Sequence, residues 1–181
     1  LKLRVAKRRA ALWIALNDLA DTWSLEEVTK NLSEFADKAI NLSWRASFLK
    51  ELKKGKFPKQ YDGDPNKVGF FILAMGKLGA FELNYSSDID LICFFDEEVF
   101  RPDEFQDVRR IFINATKNMY RILNENGKDG YVFRTDLRLR PDPSVTPVCM
   151  GVDAAERYYA SLGRTWERAA FIKARVCAGD H

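Results

Sequence analysis

The chain has 181 residues, 46% of them hydrophobic and 13% aromatic, enough for one domain with a buried core or for a compact domain with a helical extension. Because 29 Lys and Arg residues nearly balance 26 Asp and Glu residues, the net charge of +3 excludes the strong overall positive field that would favour nucleic acid as a partner. No apolar run approaches the roughly 20 residues of a membrane span, and the basic start leads into an amphipathic helix, so we expect neither a membrane partner nor a signal peptide.

The cysteines indicate a reducing compartment. Cys93, Cys149 and Cys177 are scattered, odd in number and without metal-site spacing, so we interpret them as buried thiols of a cytoplasmic protein. The last residue, His181, is assigned no role. Since the chain begins with Leu1 and not Met, we expect it to be a piece of a longer polypeptide.

The first third of the chain is predicted to be helical. Residues 2–21 carry apolar positions at helical spacing. A second helix begins after Ser24, where Glu27 completes a capping box, and its apolar stripe continues to Leu49. Gly, Pro, Asp and Lys then dominate Gly55–Lys67, which we interpret as a linker.

Two carboxylates accompany the second of two predicted strands. The short apolar run Gly69–Met75 predicts a buried strand, and Ile89–Phe95 predicts another. Asp88 and Asp90, two residues apart, leave such a strand on the same face. Since like charges repel, this arrangement favours a bound cation, and carboxylate oxygens suit Mg²⁺ or Mn²⁺. The alternative is that both acids are only solubilising residues at a strand end.

A glycine-lysine turn joins these two strands. Backbone N–H groups from Gly76 to Gly79 and the ammonium of Lys77 could hold phosphates. The alternative is that the two glycines merely allow the chain to turn.

A third strand is predicted to return to the same sheet. Pro102 opens a helix at about Asp103 that runs through Leu123 to Gly127, and the strand Tyr131–Arg140 follows it, which makes a crossover unit. Its polar face carries Arg134, Asp136, Arg138 and Arg140, and its other face carries Tyr131, Phe133, Thr135, Leu137 and Leu139. Asp136 either joins the other carboxylates or is simply paired with its arginines, and Asp180 is the rival for the third position.

The last part of the chain is predicted to be a rigid loop and two helices. Pro141–Pro147 forms the loop, and Asp153 caps a helix that reaches Leu162. A final helix, Trp166–Val176, would gather three arginines on one face, either for substrate phosphates or for pairing with neighbouring acids such as Glu167. These arginines are Arg164, Arg168 and Arg175.

The stretch Met75–Ile92 reads Met-Gly-Lys-Leu-Gly-x-x-Glu-Leu-Asn-Tyr-Ser-Ser-Asp-Ile-Asp-Leu-Ile. It resembles the signature of the polymerase-beta-like nucleotidyltransferases and, more narrowly, the bacterial glutamine synthetase adenylyltransferases, also called adenylyl-removing enzymes. Further motifs of that family follow in order at Arg134–Pro141, Tyr158-Tyr159 and Trp166–Arg175. The loop Pro141–Pro147 departs from the family, which usually has a glycine-containing turn there.

The resemblance implies an α+β fold: a polymerase-beta-type nucleotidyltransferase mixed sheet with flanking helices and an N-terminal helical extension. We assign residues 1–60 to this extension, residues 61–150 to the catalytic core, and residues 151–181 to C-terminal helices that pack on the core.

The resemblance also implies roles for particular residues. Asp88 and Asp90 would bind two Mg²⁺ (or Mn²⁺) ions, and Asp136 would bind the one that activates the attacking oxygen. The residues implied to bind nucleotide or phosphate are Gly76, Lys77, Gly79, Ser87, Arg138 and Arg140.

The implied reaction removes an adenylyl group from a tyrosine of glutamine synthetase. Phosphate attacks and ADP leaves, as in the amino-terminal copy of the family's two domains, which Glu82–Asp90 and Trp166–Ala170 resemble. The alternatives are the copy that adenylylates with ATP, a small-molecule nucleotidyltransferase, and a regulatory nucleotide-binding module without turnover. The resemblance further implies a PII signalling protein as a partner of the full-length enzyme.

Overall fold

The computed structural model describes residues 2–61 and 63–180. The helices are α1 (Lys2–Leu19), α2 (Leu25–Leu52), α3 (Gly76–Gly79), α4 (Phe105–Asn124), α5 (Val152–Ser161) and α6 (Thr165–Ala170), with 3₁₀ turns at Glu97–Val99 and Phe171–Lys173. The strands are β1 (Phe70–Ala74), β2 (Ile89–Phe95), β3 (Thr135–Asp136), β4 (Met150–Gly151) and β5 (Arg175–Gly179). The predicted α+β fold with an N-terminal helical region is confirmed. His181 and Asp62, a member of the predicted linker, lie outside the described residues.

The strands form one mixed sheet in the order β3-β2-β1-β5. β1 is antiparallel to both β2 and β5, whereas β2 is parallel to β3 at its start and to β4 at its end. The predicted crossover is therefore confirmed, since β2, α4 and β3 follow one another and the two strands pair in parallel. This topology brings the start of β2 beside β3 at one edge of the sheet.

The two N-terminal helices are joined as the sequence predicts. The Ser24 amide donates to the Glu27 carboxylate at 2.8 Å, and the Glu27 amide donates to Ser24 Oγ at 3.2 Å, which is a complete capping box. α1 ends at Leu19, two residues before the predicted end.

Helix α2 packs on the sheet through aromatic side chains. The ring of Trp44 stacks on that of Phe70 with centroids 3.6 Å apart. The ring centroids of Phe48, also in α2, and of Phe112 in α4 lie 5.2 and 6.2 Å from that of Trp44. The indole N–H donates to the Pro65 carbonyl at 3.2 Å, so the ring is buried without an unpaired donor. One hydrophobic core therefore includes residues of α1, α2, α4 and the sheet. The boundaries at residues 60/61 and 150/151 stay predictions.

The final helix predicted at Trp166–Val176 is wrong in its second half. α6 ends at Ala170, a 3₁₀ turn follows, and Arg175 already begins β5. The reason is tertiary, because residues 175–179 pair with β1, and this pairing outweighs the helical pattern of the sequence. Arg175 consequently does not share a helix face with Arg164 and Arg168.

Two smaller predictions also need correction. Of the strand predicted at Tyr131–Arg140, only Thr135 and Asp136 pair as a strand, although Phe133, Thr135 and Leu137 are buried as the alternation predicts. The helix predicted to be capped by Asp153 begins two residues earlier, with Gly151 at the N-cap and no side-chain cap bond.

The three cysteines are buried, as predicted, with exposed fractions of 7% or less. Burial raises the pKa of the Cys93 thiol to about 12, so this thiol is protonated at neutral pH. In the described part of the chain, no helix combines the length and apolar character that a membrane crossing needs.

Candidate active site

Three carboxylates meet where β2 and β3 begin to pair. Asp88 immediately precedes β2, and Asp90 is its second residue. Asp90 is the direct neighbour of Asp136 across the parallel pair. Asp180 does not take part, because it accepts from the Gly69 amide at 3.1 Å, at the opposite end of β1. The third carboxylate at this place is thus Asp136.

Gly76 borders this cluster. It has φ of 53°, a left-handed conformation that favours glycine, and a Cβ atom placed on it would lie 3.5 Å from Asp90 Oδ2. A larger side chain at Gly76 would therefore be strained and would enter the space beside the carboxylate. The start of α3 thus lies directly beside Asp90.

Two of the three carboxylates are paired with arginines of the segment around β3. Arg134 Nε donates to Asp88 Oδ1 at 2.5 Å, and its Nη2 donates to the Ser86 carbonyl at 2.6 Å. Arg138 binds Asp136 with Nε at 2.9 Å and Nη2 at 2.5 Å from Oδ2. The arginine side chains are 55% and 81% exposed, so each ion pair can exchange with solvent.

The pKa values of the two neighbouring carboxyls move in opposite directions. Partial burial, together with the charges of Asp136 and Asp88, raises the pKa of Asp90. The hydrogen bonds from Arg138 lower the pKa of Asp136. Arg138 therefore stabilises the charged form of Asp136, whereas at Asp90 its charge only partly offsets burial and the neighbouring carboxylates.

The carboxylate oxygens of the cluster suit a hard divalent cation, but in this structure the three side chains are not oriented to bind one ion together. Within residues 2–61 and 63–180, no three His, Cys, Asp or Glu side chains are placed to hold a metal ion together. The physical reason is visible in the ion pairs, since Asp88 is turned to Arg134 and Asp136 to Arg138. A metal would have to take the place of these arginines, and three carboxylates beside Gly76 are the oxygen donors that Mg²⁺ and Mn²⁺ prefer.

The predicted phosphate-binding residues of the turn differ in their surroundings. Lys77 is exposed, as a phosphate ligand must be. Gly79 is buried, its amide donates to the Met75 carbonyl at 3.0 Å, and a Cβ atom on it would lie 1.9 Å from the Lys173 carbonyl oxygen. Gly79 therefore has a packing role, and its amide already has an acceptor. The hydroxyl of Ser87 donates to Asn84 Oδ1 at 2.8 Å, within the loop that precedes Asp88.

Arg140 holds the proline-rich loop. Its guanidinium donates to the carbonyls of Leu137, Pro143 and Thr146 at 2.6, 3.0 and 3.2 Å. Burial lowers its pKa. Asp142 adopts φ of 36°, which makes the turn without the glycine of the family pattern. In this structure Arg140 fixes the loop rather than standing free for phosphate.

The later sequence motifs are joined to one another and to α3. Glu167 is buried and accepts from Tyr158 Oη at 3.0 Å and from the Arg164 amide at 2.7 Å. Arg175 pairs with Asp37 of α2 at 2.8 Å and donates to the carbonyls of Leu78 and Gly79. Arg175 thus connects α3 to α2. Its guanidinium is engaged in these contacts, which does not support the predicted arginine face for phosphate.

A cavity of about 530 Å³ adjoins the carboxylates on the β3 side. Asp88 and Asp136 line one part of it, and Lys117 and Tyr120 of α4 line another. The residues around β3 that complete the lining are Thr135, Leu137, Arg138, Arg140 and Val148.

The sequence prediction did not include Arg134, Lys117 or Tyr120 among the site residues. Arg134 was recognisable as a member of the polar face that carries Asp136. Lys117 and Tyr120 are three positions apart, hence on one helix face, but their pattern is that of any solvent-facing helix surface.

Comparisons with known proteins show which family the sequence matches. The sequence profile of the glutamate-ammonia ligase adenylyltransferase family matches residues 1–181. Proteins named bifunctional glutamine synthetase adenylyltransferase/adenylyl-removing enzyme are 49% identical in Bradyrhizobium sp. strain BTAi1 over 179 residues, 46% in Caulobacter vibrioides over 179 residues and 47% in Rhizobium meliloti over 180 residues. These alignments cover 98–99% of this chain and 18% of each relative, so the chain spans less than a fifth of the length of these proteins.

Proposed function

Because the chain belongs to the glutamate-ammonia ligase adenylyltransferase family, we propose that it is the nucleotidyltransferase module that removes an adenylyl group from a tyrosine of glutamine synthetase. A phosphate oxygen forms a bond to the adenylyl phosphorus, and the bond from phosphorus to the tyrosine oxygen breaks. The tyrosine oxygen takes up a proton, and ADP is the other product. The observation that carries this proposal is the meeting of Asp88, Asp90 and Asp136 beside Gly76.

The chain's own residues bind and orient in this reaction. Asp88, Asp90 and Asp136 would hold Mg²⁺ or Mn²⁺, which when bound neutralises charge on the phosphoryl oxygens. Arg138, released from Asp136, is long and exposed enough to turn toward a phosphoryl oxygen and steady its developing charge. Lys77 supplies a second positive charge, next to Gly76 in α3.

The direction of the reaction rests on sequence resemblance. Glu82–Asp90 and Trp166–Ala170 are similar to the removing copy of the family's two domains. The names of the relatives carry both activities, so the adenylylating direction, with ATP as the donor, is the second candidate.

The wider biology is part of the same proposal. We place the protein in the cytoplasm, where glutamine synthetase is the protein substrate and a PII signalling protein acts through the full-length enzyme. These assignments follow from the family resemblance.

Product analysis with Mg²⁺ tests the proposal. One reaction offers the chain adenylylated glutamine synthetase and phosphate, and the other offers unmodified glutamine synthetase and ATP, with Asp90→Ala as the inactive control. We expect ADP in the first reaction only, at a rate at least about 1000-fold above that of Asp90→Ala. Label transfer only in the second reaction would assign the adenylylating direction, and no product in either would contradict an enzymatic role.

A further inference from the structure

The cavity and the glycine-lysine turn lie on opposite sides of the carboxylates. In the sheet order β3-β2-β1-β5, helix α3 follows β1, whereas the cavity adjoins β3 and α4. A substrate that reaches the carboxylates therefore has two directions in which its remaining parts can extend. The turn offers one positively charged side chain, and the cavity offers a larger and chemically more varied surface.

The walls of the cavity combine three kinds of surface. Tyr120 supplies an aromatic ring with 40% of its surface exposed, and Leu137 and Val148 supply apolar surface. Lys117 and Arg138 supply positive charge. An aromatic ring, apolar surface and cations next to carboxylates are the features of a site for a ligand that has both a flat ring and a phosphate.

The Tyr120 wall is fixed relative to Asp136. Asn124 Nδ2 donates to the Tyr120 carbonyl at 3.0 Å, and Asn124 Oδ1 accepts from the Thr135 amide at 3.0 Å. The Leu123 carbonyl accepts from the amides of residues 132 and 133, which fastens the same end of α4 to the segment before β3. Because Thr135 directly precedes Asp136, these bonds hold the backbone at Tyr120 and the backbone at Asp136 in one frame, which places the tyrosine beside the carboxylate.

We propose that this cavity is the binding site for the purine nucleoside part of the adenylyl group, with the base stacked on Tyr120 and Lys117 directed to the ribose phosphate. This inference rests on the proposed function and names the side chains that recognise its nucleotide. The volume of about 530 Å³ is within the range of sites that enclose small organic ligands.

The residues that line the cavity favour a nucleotide over the other reactants as its ligand. Inorganic phosphate would use Lys117 and Arg138 but leave the ring of Tyr120 without a partner. A tyrosine side chain of the protein substrate would use the ring but would offer no negative charge to Lys117. A purine nucleoside monophosphate uses both, since base–aromatic stacking and phosphate–cation contacts are available in the same cavity.

The test compares a ligand with a base and the same ligand without one. Binding of AMP and of ribose 5-phosphate to the 181-residue chain is measured by calorimetry in the presence of Mg²⁺. We expect Tyr120→Leu to weaken AMP binding about tenfold and leave ribose 5-phosphate binding unchanged, because only AMP loses a stacked ring. Tyr120→Phe keeps the ring and should stay within about twofold of the wild type, and Lys117→Met should weaken both ligands.

Matched controls are available outside the cavity. Tyr131 is 38% exposed, close to the value for Tyr120, but it does not line the cavity, and its ring centroid lies 5.4 Å from Lys7 Nζ. Tyr131→Leu should bind AMP as the wild type does, and Lys128→Met serves in the same way for Lys117→Met. Circular dichroism of every variant establishes that each one is folded.

Three results would overturn the inference: equal weakening of both ligands in Tyr120→Leu, unchanged AMP binding in Tyr120→Leu, or a wild-type chain that does not bind AMP. ADP release from adenylylated glutamine synthetase separates the two proposals. Release without a Tyr120 effect on AMP binding would refute the base site alone. A Tyr120 effect without ADP release would refute the proposed reaction alone.

Discussion

The aromatic core under β1 and the carboxylate cluster at the start of β2 lie on the same sheet but depend on different interactions, burial of apolar rings in the core and charge pairing in the cluster. In the core, Trp44, Phe70 and Phe112 are completely buried and contact each other ring to ring. In the cluster, like charges stand together and are compensated by long, exposed arginines. We therefore expect the core to carry folding stability and the cluster to change it little, since its two central acids act with opposite signs. Substitutions in the two regions should separate stability from activity.

The largest expected effect is in the core. Trp44→Ala should lower the free energy of unfolding by about 3–5 kcal/mol, because it removes a fully buried ring and leaves a cavity. Urea denaturation measures the loss. Trp13, which is 62% exposed on α1, is the control, and Trp13→Ala should change stability by less than about 0.5 kcal/mol. Similar losses for both variants would remove the distinction between core and surface on which the comparison rests.

An intermediate effect is expected where α3 joins the two regions. Gly79→Ala should cost about 1–3 kcal/mol, because its Cβ atom would meet the backbone carbonyl of Lys173, which cannot rotate away. Gly151→Ala is the matched comparison, since its nearest neighbour is the Glu97 carboxylate, the end of a flexible side chain. If Gly151→Ala proved the more damaging in thermal unfolding, the close packing at Gly79 would not be the deciding contact.

The smallest effect is expected in the cluster, with opposite signs at its two central acids. At pH 7, Asp90→Asn should raise the free energy of unfolding and Asp136→Asn should lower it, each by less than about 1 kcal/mol, because both sites are partly exposed.

The signs of these two effects follow from the directions in which the folded-state pKa values are shifted. The folded-state pKa of Asp90 is raised, so its cost is absent below about pH 4 and develops as the pH rises through the raised value. The folded-state pKa of Asp136 is lowered, so its contribution is complete above about pH 4 and is lost as the pH falls.

Urea denaturation between pH 3 and pH 7 measures both effects. The two variants should approach the wild type at the acidic end, from opposite sides. Equal signs at pH 7 would mean that Arg138 does not distinguish the two carboxyls.

Local patterns in the sequence predicted much of the fold and the pair Asp88 and Asp90, whereas Asp136 was preferred to Asp180 only through the family resemblance. The bounds of β2, the Ser24 capping box and the buried face of Phe133, Thr135 and Leu137 each depend on near neighbours in the chain, which a pattern records. The wrong helix at Trp166–Val176 failed because β5 is formed by pairing with β1, about 100 residues earlier.

The site was predicted less completely for the same reason. Adjacent acids on a strand are visible in the sequence, but the pairing of Arg134 with Asp88 and the attachment of Tyr120 to β3 through Asn124 join distant segments. Arg140 and Gly79 show the reverse case, because the sequence assigned both to a phosphate site. In the structure the Arg140 guanidinium and the Gly79 amide already donate to backbone carbonyls, which the sequence pattern does not reveal.

The central claim is that the cluster is a metal-dependent reaction centre, and Mn²⁺ binding tests it most directly. Free Mn²⁺ is measured by electron paramagnetic resonance during titration of the chain with ADP present, for the wild type, Asp90→Asn and the exposed control Asp153→Asn. We expect Asp153→Asn to bind as the wild type does and Asp90→Asn to bind at least about tenfold more weakly. The reason is that in the described residues Asp88 and Asp136 form ion pairs with arginines and Asp90 forms none, which leaves its oxygens free for a metal. Equal Mn²⁺ affinity in the wild type and Asp90→Asn, or no Mn²⁺ binding by the wild type, would contradict the account.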